Sequence, residues 1–514
     1  MNTLEQLDIL MRAAYPIIYI VSHEEDRVKA QLRRLARDRN KILTTWSCTQ
    51  GLISFDGSDI RSLGDDTRDP FAALEKVEEL CVPSTKGTIW VFCDLHPYLD
   101  DPMLTRKLKE IAQKMKTVQK KTLVLLSPIL KLPTELDKSV TVLDWPLPTQ
   151  ADIERMLTTA MSDMKAREIE IVLSEEEKEK IIKSCSGLTS EEIENVLSRS
   201  LIVNRTISTD FIIEEKKQIV RKEGILEYFD VVSGLNDVGG LEQLKIWLRK
   251  RGSSFTDAAK AFGLSFPKGV LLLGVQGCGK SLVCKAVANL WQLPLIKLEM
   301  GKIFEGVVGG SEAKISKALA FTERIAPCIL WVDEIDKGFA GMGSSNFSDA
   351  GTTARVIGSF LAWMQEKKSP VFIVATANDI QNLPPELLRK GRFDEIFFID
   401  LPDEEERKQI LDIHIRKRNR DSVNFDLDTL AGSCKDFSGA EIEAAIEEGM
   451  FSAFDAKTEV QTKHIADALS ETVPLSKTMA EKIDALRTWA STRARYASKK
   501  VPTDFSDRSR AIEM

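Results

Sequence analysis

The sequence predicts an α/β fold of two similar modules in tandem, each a parallel β-sheet followed by a helical region. Apolar runs typical of buried strands alternate with helical patterns in both halves of the chain. Short segments of the first half also return in the second half at nearly constant spacing, as a tandem duplication requires. The 514 residues are too many for one compact core. We therefore expect at least two domains.

The first half begins with alternating strands and helices. Three apolar runs are predicted to be buried strands, and they lie at 13–22, 87–94 and 121–127. From Thr149 to about Asp230 the pattern is helical. These patterns predict an α/β domain over 1–148 and a helical, lid-like subdomain over 149–230.

The second half repeats this order. Its apolar runs, which are again predicted to be strands, lie at 270–273, 328–332 and 371–378. A glycine-containing stretch at 231–240 resembles a linker. We expect an α/β domain over 231–403, a helical lid over 404–472, and a C-terminal helical segment with a mobile tail over 473–514.

Matching motifs link the two halves. Leu132–Leu136 reads LPTEL and Leu383–Leu387 reads LPPEL, 251 positions further on. The dipeptide Ser184–Cys185 returns 249 positions later as Ser433–Cys434, and each copy is followed by Glu-Ile-Glu. Two matches in the same order favour duplication over chance similarity.

Composition excludes several classes of protein. Hydrophobic residues make up 43% of the chain and charged residues 29%, a mixture typical of soluble globular proteins, and no apolar run is long enough to cross a bilayer. The net charge of −7 argues against a protein that coats nucleic acid. The eight cysteines are scattered without a Cys-x-x-Cys pair, which indicates a reducing compartment and no zinc site.

A glycine-rich loop follows the strand at 270–273 and precedes a predicted helix. Its sequence, GVQGCGKS, fits the pattern G-x-x-x-x-G-K-S. Glycines let backbone N–H groups surround phosphate oxygens, and the helix N-terminus adds partial positive charge. Lys280 would neutralise the β- and γ-phosphates, and the Ser281 hydroxyl would ligate Mg²⁺. We predict that ATP binds Gly274, Val275, Gln276, Gly277, Cys278, Gly279, Lys280, Ser281 and Leu282.

Polar residues end the next two predicted strands. Asp333 and Glu334 follow the strand at 328–332, and Asn378 ends the strand at 371–378. Ligands bind at this edge of α/β sheets, so we predict that Asp333 holds Mg²⁺ and Glu334 polarises the attacking water. Asn378 would orient that water or contact the γ-phosphate, although an asparagine in this place is more often a turn former.

Cys278 lies inside the predicted phosphate loop. The positive helix terminus would lower the pKa of its thiol, and oxidation would then block nucleotide binding. An ordinary small residue at a variable loop position is the simpler interpretation.

The glycine-rich loop, the acidic pair Asp333 and Glu334, and Asn378 follow one another in the order found in AAA+ ATPases, and the sequence resembles that family. The segment LLRKGRFD, with Arg389 and Arg392, is similar to the second region of homology of the AAA clade proper. DVGGL, with Asp237 and Gly239, resembles the segment beside the adenine, and FSGAEI, with Ala440, resembles the start of the lid helix. The resemblance covers about 235–470.

The resemblance implies a ring oligomer, often a hexamer, that uses ATP and Mg²⁺. Asn378 then corresponds to sensor 1. Arg389 and Arg392 correspond to the arginine fingers, which reach the γ-phosphate of the neighbouring subunit. Ala440 stands where other branches carry a sensor 2 arginine. Over nearly the whole chain, the sequence is also similar to the conserved open-frame AAA proteins of cyanobacteria and algal plastids, which implies a bacterial cytoplasm or a plastid stroma.

Two departures from the AAA+ pattern matter. Val307 stands where many protein unfoldases carry an aromatic residue that grips polypeptide, which puts threading in doubt; Phe304 would substitute only in a differently folded loop. In the first half, the phosphate loop is replaced by Ser22–Asp26, which contains three acidic residues, and the Asp-Glu pair is missing. We infer a degenerate first module that keeps the fold without the chemistry.

The leading hypothesis is a Mg²⁺-dependent AAA+ ATPase that remodels or regulates a protein partner as a ring. A nucleotide-gated scaffold with slow turnover is the second, and a nucleic-acid motor is the third, disfavoured by the acidic charge. The basic run at 414–420 is interpreted as a solvated face or a subunit contact.

Overall fold

The fold is described from a computed structural model of the chain. It describes residues 3–499 except 58, 84–85, 119, 166–170, 172, 231–233, 256–258, 260, 305–309, 340–349 and 390. The chain divides into two compact units, Met1–Ile213 and Glu214–Met514.

The first unit alternates strands and helices and then becomes helical. Its strands are β1 (Ile17–Val21), β2 (Lys41–Ser47), β3 (Gly51–Asp56), β4 (Asp59–Ser62), β5 (Gly87–Cys93), β6 (Lys121–Ser127) and β7 (Val140–Asp144). Its helices are α1 (Thr3–Arg12), α2 (Glu25–Asp38), α3 (Pro70–Leu80), α4 (Pro102–Thr117), α5 (Gln150–Lys165), α6 (Glu175–Cys185) and α7 (Ser190–Asn204). Helix α8 (Thr209–Glu223) begins in this unit and ends in the second.

The first sheet has the strand order β4-β3-β2-β5-β6-β1-β7. The five strands from β2 to β7 in this order are parallel, and β3 and β4 extend the edge as an antiparallel hairpin. Every residue of β5 and β6 is buried, because apolar side chains cover both faces of the sheet. Trp46, Trp90 and Phe92 pack under α3 and α4 on one face, and Ile18 and Val91 pack under α1 and α2 on the other.

The second unit has the same plan. Its strands are β8 (Leu226–Phe229), β9 (Gly269–Gly274), β10 (Leu295–Leu298), β11 (Cys328–Val332), β12 (Val371–Ala377), β13 (Glu395–Ile399) and β14 (Arg495–Tyr496). The helices around the sheet are α9 (Glu242–Gly252), α10 (Lys280–Trp291), α11 (Met300–Phe304), α12 (Gly310–Ile325), α13 (Ile335–Phe339) and α14 (Ala350–Glu366). The later helices are α15 (Glu404–Lys417), α16 (Leu427–Ser433), α17 (Gly439–Asp455), α18 (Thr462–Glu471), α19 (Leu475–Thr478) and α20 (Ala480–Arg493).

The second sheet has the order β14-β13-β9-β12-β11-β10-β8. Its central parallel strands, β10-β11-β12-β9-β13, are connected in the same way as β2-β5-β6-β1-β7 of the first sheet. When only these five parallel strands are counted, the first along the chain lies between the fourth and the fifth in both sheets. The predicted fold class, two tandem α/β modules with a helical region after each sheet, is confirmed.

The lid after the second sheet is a helical bundle with its own core. Helices α15 to α18 pack through Leu411, Leu430, Phe437, Ile442 and Ile465, all of which are buried. A capping box stops the backbone N–H groups at the start of α17 from being left unpaired: the Ser438 hydroxyl accepts from Glu441 N, and the Glu441 carboxylate accepts from Ser438 N. Helix α7 of the first unit begins with the same device at Thr189 and Glu192.

Three segments differ from the sequence predictions. Residues 226–229, expected to belong to a helical region ending near 230, form strand β8, whose apolar Leu226 is buried as β8 pairs antiparallel with β10. The expected linker at 231–240 contains Leu235 and Val238, which are buried in the core of the second unit. The C-terminal segment returns to the sheet, where β14 pairs with β13.

The predicted mobile tail, 503–514, lies outside the described residues. None of the helices in the described part of the chain has the length and apolarity that a bilayer crossing requires.

Candidate functional site

The predicted phosphate loop connects β9 to α10. Gly277 and Gly279 have φ angles of +79° and +84°, which glycine adopts without strain, and α10 begins at Lys280. Gly274 ends β9 beside β13, and a Cβ atom there would lie 1.9 Å from the carbonyl oxygen of Ile399. Gly277 and Gly279 are therefore required by their backbone conformation, and Gly274 is required by its close contact with β13.

Lys280 lies at the centre of this loop. Its side chain is only 7% exposed, and its ammonium donates to the carbonyl oxygens of Gly274 at 2.9 Å and Val275 at 2.7 Å. Burial lowers the pKa of Lys280 to about 8, although nearby acidic groups oppose this shift. The loop thus concentrates one cation among backbone groups, a suitable arrangement for binding phosphate.

Four of the predicted site residues, Ser281, Asp333, Glu334 and Asn378, lie together at the carboxyl edge of the sheet. The Ser281 hydroxyl is 3.4 Å from Asp333 Oδ1, and Asn378 Nδ2 donates to Glu334 Oε1 at 3.3 Å. Glu334 has a φ of +46°, an uncommon conformation for a residue other than glycine. The turn after β11 therefore directs two adjacent carboxylates toward two different partners.

Thr376, which no sequence motif singles out, contacts both acidic residues. Its buried hydroxyl donates to Asp333 Oδ1 at 2.7 Å and accepts from Glu334 N at 2.9 Å. Asp336, also buried, accepts from the backbone N–H groups of Asn378 and Asp379 at 3.2 and 3.0 Å. Hydrogen bonds thus join the ends of β11 and β12 and fix the positions of Asp333 and Glu334.

The donor set fits Mg²⁺ bound together with a nucleotide. No group of three or more His, Cys, Asp or Glu side chains within the described ranges could hold a metal by itself. Ser281 and Asp333 together offer one hydroxyl and one carboxylate, and Mg²⁺ in nucleotide sites takes its remaining ligands from water and phosphate. The same pair would supply few ligands to a metal without a nucleotide.

A cavity of ≈ 460 Å³ extends from this edge toward the lid. Its walls include Gln276 to Leu282 of the loop, the acidic pair Asp333 and Glu334, and Asn378. The far end, which suits a nucleoside, is lined by Asp237, Val238, Gly239, Ile410, Ile413, His414, Lys417, Ala440 and Glu443. The cavity therefore joins the predicted phosphate and adenine segments.

The lid contributes to the cavity wall two residues that were expected at the protein surface. His414 and Lys417 line the cavity, whereas the run at 414–420 was interpreted as a solvated face or subunit contact. Burial lowers the pKa of His414, whose Nδ1 lies 3.2 Å from Glu443 Oε1. Ala440 N donates to the Gly277 carbonyl at 3.0 Å, so the start of the lid helix is joined directly to the phosphate loop.

The structure contradicts the redox hypothesis for Cys278 and agrees with the simpler interpretation of an ordinary small residue in the loop. Burial raises the pKa of its thiol to about 12, an effect that exceeds the opposite influence of Lys280. The thiol packs near Met479 and Ile483 of the C-terminal segment. A raised pKa disfavours the thiolate form that oxidation requires.

The C-terminal segment supports the loop from the other side. Ile483 of α20 packs against Val275 and Leu401, and the Arg487 guanidinium donates to both carboxylate oxygens of Asp400 at 2.9–3.1 Å. Asp400 lines the cavity. Nothing in the sequence pattern pointed to this contact, since Arg487 lies 87 positions from Asp400.

Arg389 and Arg392 do not line the cavity of their own chain. Arg389 is exposed, and neither side chain belongs to the cavity wall. Within the described residues, Arg392 Nη1 is buried without a hydrogen-bond partner. Phe304 ends α11, and Val307 lies outside the described residues.

Comparisons with known proteins agree with this geometry. Residues 270–401 match the "ATPase family associated with various cellular activities (AAA)". Residues 3–145 match the "SpoVK-like AAA ATPase, N-terminal domain", and residues 151–223 match the "SpoVK-like AAA ATPase, second domain". All three matches name AAA ATPases.

Relatives extend the match to the whole chain. The "Uncharacterized AAA domain-containing protein ycf46" of Guillardia theta is 40% identical over 496 residues, which cover 96% of this chain and 95% of the relative. Its counterpart in Pyropia yezoensis is 40% identical over 97% of this chain and 100% of the relative. The "ATPase family protein 2 homolog" of Caenorhabditis elegans is 31% identical over 51% of this chain and 37% of the relative. The chain therefore belongs to the AAA ATPase family, as a full-length relative of the ycf46 proteins.

Proposed function

We propose that this protein is a Mg²⁺-dependent ATPase that works as a ring oligomer, a hexamer in the leading hypothesis, and remodels or regulates a protein partner. The observation that carries the proposal is the convergence of Lys280, Ser281, Asp333, Glu334 and Asn378 on one cavity. These side chains supply a phosphate-binding cation, a pair of Mg²⁺ ligands, a general base and a polar amide.

Each residue has a distinct role in the proposed reaction. Loop N–H groups and Lys280 bind the phosphates, while Ser281 and Asp333 would hold a Mg²⁺ ion, which would supply positive charge to offset that of the phosphates. Glu334 accepts the proton of the attacking water, and Asn378 orients that water. The hydrogen bonds from Thr376 and Asn378 support this assignment, because they hold the two carboxylates in fixed positions.

The last catalytic group is an arginine side chain from the neighbouring subunit of the proposed ring. Arg389 and Arg392 reach the γ-phosphate of the neighbouring subunit and stabilise charge in the transition state. Their absence from the cavity wall of their own subunit supports a role in trans. Turnover then depends on assembly.

The first module is proposed to act as a platform or regulator for the protein partner, since acidic residues replace its phosphate loop. A plastid stroma or a bacterial cytoplasm is the proposed compartment, which agrees with eight free cysteines and with the ycf46 relatives.

We expect the purified chain to hydrolyse ATP only when Mg²⁺ is present, and to form a ring that ATP stabilises. Malachite-green phosphate release with and without EDTA measures the first property, and analytical ultracentrifugation measures the second. A monomer with full activity would contradict the ring. ATP binding without turnover would favour the scaffold hypothesis, and salt-dependent binding of single-stranded DNA or RNA would favour the nucleic-acid motor.

Replacing Thr376 with Val should lower kcat by about 10-fold or more and weaken Mg²⁺ activation, because Asp333 and Glu334 each lose a hydrogen bond in a buried site. Valine has nearly the same shape, so the strand should be unaffected. Thr376→Ser keeps the hydroxyl and should retain near-normal kcat. Equal loss of activity in both variants would show that packing, rather than the hydroxyl, matters at this position.

A further inference from the structure

The first module contains a turn that corresponds to the phosphate loop. It connects β1 to α2 and carries three successive acidic residues, Glu24, Glu25 and Asp26. The side chains of Glu25 and Asp26 are 44% and 97% exposed and both pair with Lys29. Glu24, in contrast, is buried with 7% exposure. Only one of the three acids therefore points into the protein.

The carboxylate of Glu24 contacts the start of α7. Ser190 N, on the first residue of that helix, donates to Glu24 Oε1 at 2.7 Å. The Glu24 backbone N–H is held by the Ser22 hydroxyl at 3.0 Å. The first N–H groups of a helix have no partner within the helix, and a negative charge beside them is favourable. Glu24 supplies both the acceptor and the charge.

The charge of Glu24 is balanced by Arg27. The Arg27 guanidinium contacts Glu24 Oε2 and also donates to the Pro146 carbonyl at 2.9 Å. Its other terminal nitrogen lies 3.9 Å from Asp152 of α5. This network connects the β1–α2 turn to the segment after β7, to α5 and to α7. It joins the sheet of the first unit to the helical region that follows.

The second unit makes the same connection through its backbone. Gly277 is the third residue after β9, as Glu24 is the third after β1, and its carbonyl accepts from Ala440 N near the start of α17. The capping residues Thr189 and Ser438, which precede the two helices, lie 249 positions apart, the same spacing as the repeated Ser-Cys motif. In the second unit, a loop suited to binding phosphate contacts the start of the lid helix through the Gly277 carbonyl. In the first unit, the Glu24 carboxylate makes the corresponding contact.

We propose that Glu24 replaces, through its side chain, the contact that the Gly277 backbone carbonyl makes with the start of the lid helix in the second module. Its carboxylate holds the start of α7 against the β1–α2 turn without any bound ligand. The first module is then closed permanently, independent of ATP, while the second module keeps a loop that is free to bind phosphate. This inference concerns the first module alone and does not depend on the proposed ATPase mechanism.

Hydrogen exchange of the full chain tests the proposal. In Glu24→Ala, the backbone amides of the first turn of α7, Ser190 to Ile193, should exchange about 10-fold faster or more, because a buried charge-assisted hydrogen bond is lost. Exchange in strands β5 and β6 should not change. Sodium acetate supplies the missing CH₂–carboxylate fragment, so it should restore protection of α7, whereas sodium chloride at equal ionic strength should not.

Asp26→Ala is the matched control, because it removes an acidic group two positions away that is almost fully exposed, and its exchange should equal that of the wild type. Glu24→Gln keeps the shape and one acceptor, and should show a smaller increase in the same four residues if the charge contributes. Wild-type exchange at α7 in Glu24→Ala, equal rescue by chloride, or wild-type exchange in Glu24→Gln would overturn the proposal.

Discussion

Replacing Glu334 with Gln is expected to lower the turnover of ATP by about 10²–10⁴-fold, the range that a positioned general base contributes, while ATP binding is retained. Glutamine has the shape of glutamate and can still accept a hydrogen bond, but it cannot take a proton from water. Asn378 Nδ2 lies 3.3 Å from Glu334 Oε1, and this contact can persist with the amide. The binding surface therefore stays intact while proton transfer is lost.

The local structure supports a clean separation of binding from chemistry. Glu334 N is held by the Thr376 hydroxyl, and its backbone has a φ of +46°, so the turn that carries it is fixed independently of the side-chain charge. The other carboxylate oxygen pairs with Lys337 at 2.8 Å on the exposed side of the site. Loss of that surface ion pair should have little effect on stability.

Two measurements check this prediction. Phosphate release gives kcat, and the fluorescence of an N-methylanthraniloyl-ATP titration gives affinity. Glu404→Gln, an exposed acid in the first turn of α15, is the matched control and should behave as the wild type. Unaltered turnover in Glu334→Gln would remove Glu334 from the role of base. The variant also offers a way to find the partner, because a ring held in its ATP-bound state should retain it during affinity capture.

The parts of the fold that could be predicted are those with continuous apolar sequence. Strands β5, β6, β11 and β12 are buried on both faces, so their apolar runs were recognisable. Strand β2, with the sequence KILTTWS, mixes polar with apolar residues, buries Leu43, Thr44 and Trp46 and leaves the others half-buried, so no continuous apolar run marks it. Strand β14 has two residues and exists only because the C-terminal segment returns to β13. Such pairing over a long sequence distance leaves no local pattern.

The residues of the site likewise divide into those that the sequence predicts and those that it does not. Lys280, Asp333 and Glu334 were found because phosphate and Mg²⁺ chemistry demand particular residue types at particular spacings. Thr376 was missed, since a threonine inside an apolar run is typical of any strand, and its two hydrogen bonds depend on the register of β12 against β11. The pKa of Cys278 is raised rather than lowered because burial, to which packing by α20 contributes, exceeds the opposite influence of Lys280.

Replacing Arg392 with Ala should lower kcat by about 10³-fold or more without preventing ATP binding, since an arginine supplied in trans acts mainly on the transition state. The guanidinium is half-buried, and one of its nitrogens has no hydrogen-bond partner in the described part of its own chain. Arg389→Ala should act in the same direction. Arg61→Ala, an exposed arginine in the first unit, is the control and should leave kcat unchanged.

Mixing two inactive variants distinguishes action in trans from action in cis. Glu334→Gln has no base but keeps its arginines, and Arg392→Ala keeps its base. In a ring, a site is complete only when its owner carries Glu334 and the neighbour that reaches it carries Arg392. Random assembly of equal amounts should therefore restore about a quarter of the sites, because each condition is met half of the time. If Arg392 acted within its own subunit, no mixture would exceed the activity of the separate variants. Recovery of activity on mixing would thus establish that Arg392 completes the site of a neighbouring subunit rather than the site of its own.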